Sequence, residues 1–325
     1  MVFLSFDWGL LFIIAAALAL VALCLCAIAF TAFKMIVGRH AMDPANPFYA
    51  SLLRKLLGDY VEELAKYIEE ESERLLALPH EDVTVTTDDG LKLMGRFFEN
   101  SVQTDKTVVC MHGYTSDGKR DFAAIAQFYL DEGYNVLLPE HRAHGRSEGK
   151  YIGFGVLDRR DALKWLKLVT DKYPNGKIVL TGISMGGATV LQTLDLELPD
   201  NVKAVIADCP FTSVKAELSF QIKRLFHLPP FPLVNLTGAV CKRVAGYSFD
   251  EVDSKESVKY AKVPVLFIHG GADAFVPLFM SEECFAHCPT EKKFVLVEGA
   301  AHGSSHFKNK GLYESSVREF LTDKF

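Results

Sequence analysis

The stretch Lys177–Leu194, KIVLTGISMGGATVLQTL, decides how this chain is read. An apolar run, Ile178–Leu180, meets Gly182-Ile183-Ser184-Met185-Gly186-Gly187 and then an apolar pattern at helical spacing. A serine between glycines where a strand turns into a helix is either part of a tight turn or a nucleophile on a strained elbow. In the second case the glycines let neighbouring chain segments pass closely.

Working outward, short apolar strands alternate with amphipathic helices from Thr107 onward. The strands are TVVCMH, YNVLLP, KIVLTG, VKAVIAD, VPVLFIHG and KKFVLVEG, and helical patterns occupy about 121–132, 156–172, 185–197, 277–287 and 310–324. Near-continuous apolar strands separated by helices predict an α/β chain with a mostly parallel sheet covered on both faces. Ligand chemistry in such a sheet belongs at the carboxyl ends of its strands. Upstream, DVTVTT and LKLMGRFF around Asp89-Gly90 read as a β-hairpin. The interval 212–262 is too long for a simple connection. Its Phe-, Leu- and Pro-rich run FQIKRLFHLPPFPLVNLTG predicts a helical cap over one end of the sheet.

The strand ends supply the parts of a nucleophilic triad. A serine needs an imidazole to take its proton, a carboxylate to hold that imidazole, and N–H donors for the oxyanion. VPVLFIHGGADAFVP carries Asp273 just beyond one strand, and KKFVLVEGAAHGSS carries His302 just beyond the last. The order Ser184, Asp273, His302 is the Ser…Asp…His order of the α/β-hydrolases. VVCMHGYTSDG ends an early strand with His112-Gly113-Tyr114. At these residues the chain resembles the α/β-hydrolase superfamily, of the serine-esterase, S33-like aminopeptidase and monoacylglycerol-lipase-like kind. EHRAHGRSEG is similar to that group's D-x-RGHG-x-S-x-G loop, and HGGADAFVP to its HG-x-x-D-x-x-VP.

The resemblance covers roughly residues 80–325. It implies Ser184 as nucleophile, His302 as general base and then acid, and Asp273 as the orienting carboxylate. It also implies an oxyanion hole from the backbone N–H groups of Met185 and Tyr114. The chain departs from the pattern at Glu140, usually Asp, and at Ala143, usually Gly. Asp208, also at a strand end, is an alternative acid. His306 is expected at the surface or in a lid, and Asp117 with Arg120 reads as a helix start. His112, His141 and His144 come without carboxylates at ligand spacing, so no metal and no cofactor is expected.

Ahead of this domain, Gly9 to Phe30 holds no charged residue. At about 1.5 Å per residue the run is roughly 33 Å long, enough for a hydrocarbon core of about 30 Å. Asp7 precedes it, no Lys or Arg does, and the run exceeds a signal peptide's apolar core, so an uncleaved single-pass anchor is expected over residues 1–40. Ala27-Ile28-Ala29 leaves open the alternative of cleavage and secretion. Lys34, Arg39, Arg54 and Lys55 follow the run, which places the rest of the chain in the cytoplasm. Residues 41–79 are expected to form a proline-bearing hinge, Met42 to Phe48, and a juxtamembrane amphipathic helix.

The 325 residues are 49% hydrophobic and 23% charged, with formal net charge −6. That is a globular chain with no basic patch for nucleic acid. The seven scattered cysteines do not form a disulfide framework, and Cys284 and Cys288 alone make no zinc site. The expected activity is a membrane-anchored serine hydrolase acting on a small-molecule ester or acyl substrate. Phe211, Phe220, Leu225, Phe226, Phe231 and Leu233 of the cap either line an acyl pocket or form the cap's own core. An S33-like aminopeptidase or other amidase using the same triad, and a non-catalytic binding protein of the same fold, are the alternatives.

Overall fold

The computed structural model describes residues 8–39, 61–322 and 324. The hinge at Met42–Phe48 and the start of the expected juxtamembrane helix lie outside the described residues. Helix α1 runs over Trp8–Val37 and is exposed for most of its length. Helix α2, Val61–Leu76, follows. Strands β1 (Glu81–Thr86) and β2 (Lys92–Phe98) then pair antiparallel across the Asp89-Gly90 turn, where Thr87 N donates to the Leu91 carbonyl.

Six further strands complete an eight-stranded sheet of order β1-β2-β4-β3-β5-β6-β7-β8. They are β3 (Lys106–Met111), β4 (Asn135–Pro139), β5 (Lys177–Ile183), β6 (Val202–Asp208), β7 (Val265–Gly270) and β8 (Lys292–Val297). Strand β2 joins β4 antiparallel, and all pairs from β4 to β8 are parallel. Because successive side chains alternate faces, each strand from β2 to β8 feeds two cores. Val108, Cys110, Val179, Ile206 and Ile268 face α3 (Gly118–Asp131) and α11 (Lys310–Thr322). Val109, Leu180, Val205 and Phe267 face α4 (Asp158–Lys172) and α9 (Leu278–His287) on the other side. This two-sided burial explains why the strands read as unbroken apolar runs.

The helix after the elbow, α5, spans only Met185–Gln192. The sequence pattern ran on to 197, but from Thr193 the chain turns. The interval 212–262 carries α6 (Val214–Phe226), α7 (Leu233–Val244) and the short α8 (Ser254–Ser257), and a further short helix, α10 (Ser305–Lys308), precedes α11. A third core joins α6 and α7 to the sheet ends through Phe154, Met185, Phe211, Val234 and Tyr247, and it includes Phe33 and Val37 of α1. The end of α1 is thus packed on the domain. Ile152 N donates to the Val37 carbonyl (2.8 Å), and the Arg39 guanidinium donates to the carbonyls of Ser147 (2.6 Å) and Gly145 (2.5 Å).

Candidate active site

Between β5 and α5 the chain reverses at Ser184, with φ 56° and ψ −115°. This left-handed conformation is strained for a residue with a side chain, and it is held by backbone packing. A Cβ at Gly182 would lie 2.2 Å from the Gly186 carbonyl oxygen, and one at Gly186 would lie 1.8 Å from that of Met111. Both glycines are therefore required by close approach of backbone. The Ser184 N–H donates to the Asp208 carbonyl (2.8 Å), which ties the elbow to β6.

Ser184 Oγ lies 2.7 Å from His302 Nε2, and His302 Nδ1 lies 2.7 Å from Asp273 Oδ2. A carboxylate only accepts, so Nδ1 carries the proton and Nε2 faces the serine. Asp273 is itself fixed: its Oδ1 accepts the N–H groups of Phe275 (2.8 Å) and Val276 (2.9 Å). His269 Nε2 stands 3.4 Å from Oδ2. Burial works against the protonated form of His302, but the Asp273 carboxylate outweighs it and holds the imidazole well above its ordinary value. Cys209 also borders His302, yet burial pushes its thiol up to about 12, so it is uncharged near neutral pH. Asp208 is not the partner of His302 in hydrogen bonding. Its carboxyl accepts from Ser305 Oγ (3.3 Å), and burial pushes it up to about 7.

The loop after β3 lies against the elbow, since a Cβ on Gly113 would meet Ser184 Cβ at 3.5 Å. Met185 begins α5, so its N–H has no carbonyl acceptor within the helix. Tyr114 stacks on Phe154 with centroids 4.9 Å apart, and its hydroxyl donates to the Ile36 carbonyl of α1 (2.7 Å). The loop is propped by residues whose roles the sequence does not show. Gly113 N donates to Asp121 Oδ2 (2.6 Å), and Thr115 N to His144 Nε2 (3.2 Å). His112 Nδ1 donates to the Gly113 carbonyl (2.8 Å), while its Nε2 accepts from His141 N (3.0 Å). Burial, and secondarily the neighbouring His141, lowers both His112 and His144, the latter to about 4, which keeps them as neutral struts. Among the described residues, one trio brings metal-ligand atoms within 4.8 Å of one another: Cys209, Asp273 and His302. Two of its members belong to the hydrogen-bonded chain above.

A cavity of about 570 Å³ opens beside Ser184. Of the cap residues singled out in the sequence, Phe211, Leu225, Phe226 and Leu233 line it. Phe220 does not: it points away to meet Phe279, with centroids 6.5 Å apart. Phe231 does not either, and is 72% exposed in the turn between α6 and α7. The cavity's lining includes α1, which no sequence signal marked as part of the site. It also includes Glu217, whose Oε1 accepts from Gln221 Nε2 (2.7 Å) and which burial pushes up to about 7. His306, expected at the surface or in a lid, is buried against Tyr313 and meets Glu314 Oε1 at 3.1 Å. Asp117 caps α3 by accepting from Arg120 N (3.0 Å). In the loop that departs from the related pattern, Ala143 adopts φ 59°, where glycine is at ease, and Glu140 accepts from Arg146 Nε (2.9 Å) and Arg96 Nη1 (3.1 Å).

Residues 102–246 match the family described as Hydrolase_4, serine aminopeptidase, S33. YqkD of Bacillus subtilis (strain 168), described as uncharacterized, is 31% identical over 67% of this chain and 72% of its own length. The Saccharomyces cerevisiae protein YNL320W, described as an uncharacterized membrane protein, is 25% identical over 76% of this chain and 81% of its own. Among solved structures, the Pyrococcus furiosus esterase Pf2001 is similar with a TM-score of 0.62 at 27% identity, covering 77% of this chain and 92% of that one. By its sheet, its strained elbow and these relatives, the chain belongs to the α/β-hydrolase superfamily.

Proposed function

We propose that the protein is a membrane-anchored serine hydrolase that cleaves carboxylic esters with an apolar acyl group. The observation that carries this reading is the hydrogen-bonded chain Ser184–His302–Asp273 at the wall of an apolar cavity. Neutral His302 takes the Ser184 proton at Nε2 as Oγ attacks the ester carbonyl carbon. The N–H groups of Met185 and Tyr114 stabilise the oxyanion. Collapse breaks the bond to the leaving oxygen, which receives the proton from His302, and leaves an acyl-serine. Water, deprotonated by His302, then releases the carboxylic acid and restores Ser184. The esterase Pf2001 supports the ester reading as a structural relative.

Helix α1 is the anchor in this reading, and Lys34 and Arg39 at its end support a cytoplasmic catalytic domain. Cleavage after Ala29, the secreted alternative, would strip from the cavity the α1 residues Ala27 and Ile28.

An aminopeptidase is the second reading, and one residue favours it. Glu217 is a buried carboxyl on the cavity wall, and its Oε2 has no hydrogen-bond partner among the described residues. A substrate ammonium would supply one.

The test compares p-nitrophenyl octanoate with leucine p-nitroanilide, using the full chain in detergent micelles. The ester reading expects the octanoate to be turned over faster, with a loss of roughly 10³-fold or more in Ser184→Ala. Preference for the anilide, abolished in Glu217→Gln, would transfer the assignment to the peptidase. No turnover of either would leave a binding protein.

A further inference from the structure

The cavity beside Ser184 is built in part from the N-terminal helix. Ala27, Ile28, Thr31, Ala32, Met35 and Ile36 line it. Their spacing places them on one stripe of α1, since residues three and four apart share a helix face. A neighbouring stripe, Ala29, Phe33 and Val37, is buried against the domain. Opposite stand Leu218, Ile222 and Leu225 of α6, again at helical spacing. An anchor serving only as a tether has no reason to present a second apolar face to the catalytic serine.

The position of the cavity along α1 matters as much as its lining. From Trp8 to Ile28 the helix rises roughly 30 Å, about one hydrocarbon thickness. The cavity therefore begins where the bilayer core ends. Its lining also includes Phe226, at the end of α6, and Leu228, which are 55% and 54% exposed, and the loop that holds Leu228 leads to Phe231. Large apolar side chains left in water at the mouth of an apolar cavity mark a surface that meets lipid. The inner end is marked by the Tyr114 hydroxyl on the Ile36 carbonyl, one loop away from Ser184. Between Ala27 and Ile36 the helix rises about 13 Å.

We propose that α1 is a wall of the acyl-binding site: a fatty acyl chain of a membrane lipid enters from the leaflet between Ala27–Ile28 and Phe226–Leu228, and lies along Thr31, Ala32 and Met35 with its ester carbonyl at Ser184. This assignment rests on the esterase reading above. It makes the anchor helix a determinant of acyl-chain length. Thr31 and Ala32 are small, so they leave room for the chain, and a bulky residue at 32 occupies its path.

The experiment uses the full chain in detergent micelles and measures kcat/KM for a series of p-nitrophenyl esters from butanoate through laurate to palmitate. In the wild type the value rises with chain length, by about fourfold for each methylene that leaves water, until the cavity is filled. Ala32→Phe is expected to lower the laurate-to-butanoate ratio at least tenfold, and Met35→Ala to move the optimum to longer chains. Leu20→Phe, on the exposed part of α1, is expected to keep the wild-type ratio, and thermal melts of each variant report its folding. A second arm reconstitutes the protein in phosphatidylcholine vesicles. Long-chain ester sharing the protein's bilayer should be cleaved, and ester confined to protein-free vesicles spared. Folded Ala32→Phe and Met35→Ala with wild-type chain-length profiles, or equal cleavage in both vesicle arrangements, would overturn the proposal. Wild-type protein inert towards every ester of the series would instead remove the esterase reading, and this assignment with it.

Discussion

The Tyr114 hydroxyl donates to the Ile36 carbonyl across 2.7 Å, so the loop beside the nucleophile elbow is fastened to the last turns of an apolar helix 78 residues earlier in the chain. The bond joins a helix long and apolar enough to cross a membrane to the part that would stabilise the oxyanion in the proposed reaction. It also lies at the inner end of the cavity, where Tyr114 stacks on Phe154.

Tyr114→Phe removes this bond and keeps the ring. A net hydrogen bond is worth about 1 kcal/mol, so kcat is expected to fall roughly fivefold with KM little changed and the melting temperature only slightly lowered. Steady-state kinetics on the full chain check this. A wild-type kcat would show that the loop is positioned without α1.

The pH profile follows from Asp273. In the proposed mechanism His302 must be neutral to accept the Ser184 proton, and the carboxylate outweighs burial to hold its pKa well above the ordinary imidazole value. Activity is therefore lost as pH falls through that raised value, and the acid limb of kcat/KM lies above about 6.5. In Asp273→Asn the residual activity should be roughly 10³–10⁴-fold lower, with its acid limb moved to lower pH. A limb that stays in place would mean that another group sets it.

Gly186→Ala tests the elbow itself. The added methyl would lie 1.8 Å from the Met111 carbonyl oxygen and 2.7 Å from that of His112, both of them backbone. A loss of about 3 kcal/mol or more is expected, read as a fall in melting temperature or in the yield of folded protein. Gly311, in α11, has only Asn309 Oδ1 at 4.0 Å from its would-be Cβ. Gly311→Ala should be neutral or stabilising by about 0.5–1 kcal/mol.

Arg142 anchors the loop that carries His141 and His144. Its Nε and Nη2 donate to Asp161 (2.7 and 2.8 Å), and both terminal nitrogens donate to Asp89 (3.1 Å). Arg142→Leu leaves Asp161 buried without its partner and should cost about 3–5 kcal/mol. Adding Asp161→Leu should recover more than half of that loss in chemical denaturation, whereas additive penalties would argue against a coupled pair.

The parts of this molecule that were legible in the sequence are those whose constraint is local. Gly182 and Gly186 are forced by backbone contacts at a single turn, and the strands read as apolar because both faces of each are covered. Asp273 and His302 stand just past apolar runs whose ends are easily found. What escaped is set by packing between distant segments. Phe211 and Phe226 line the cavity while Phe220 and Phe231 do not, although all four phenylalanines fall within a short stretch of the chain. Phe220 sits two residues after Leu218, on another side of α6, and only the placement of α1 decides which side is the wall. Cys209, Glu217 and Asp121 likewise gain their roles from long-range neighbours, and no short motif announces them. The hydrophobicity of α1 accounts for a span but is silent about the face its last turns give to the serine.

The most direct test of the central claim is modification of the full-length protein in detergent by a fluorophosphonate, with the adduct located by peptide mass mapping. The account predicts rapid modification of Ser184, absent in Ser184→Ala and strongly slowed in His302→Ala. A folded wild-type protein that stays unlabelled, or is labelled at another residue, would contradict it.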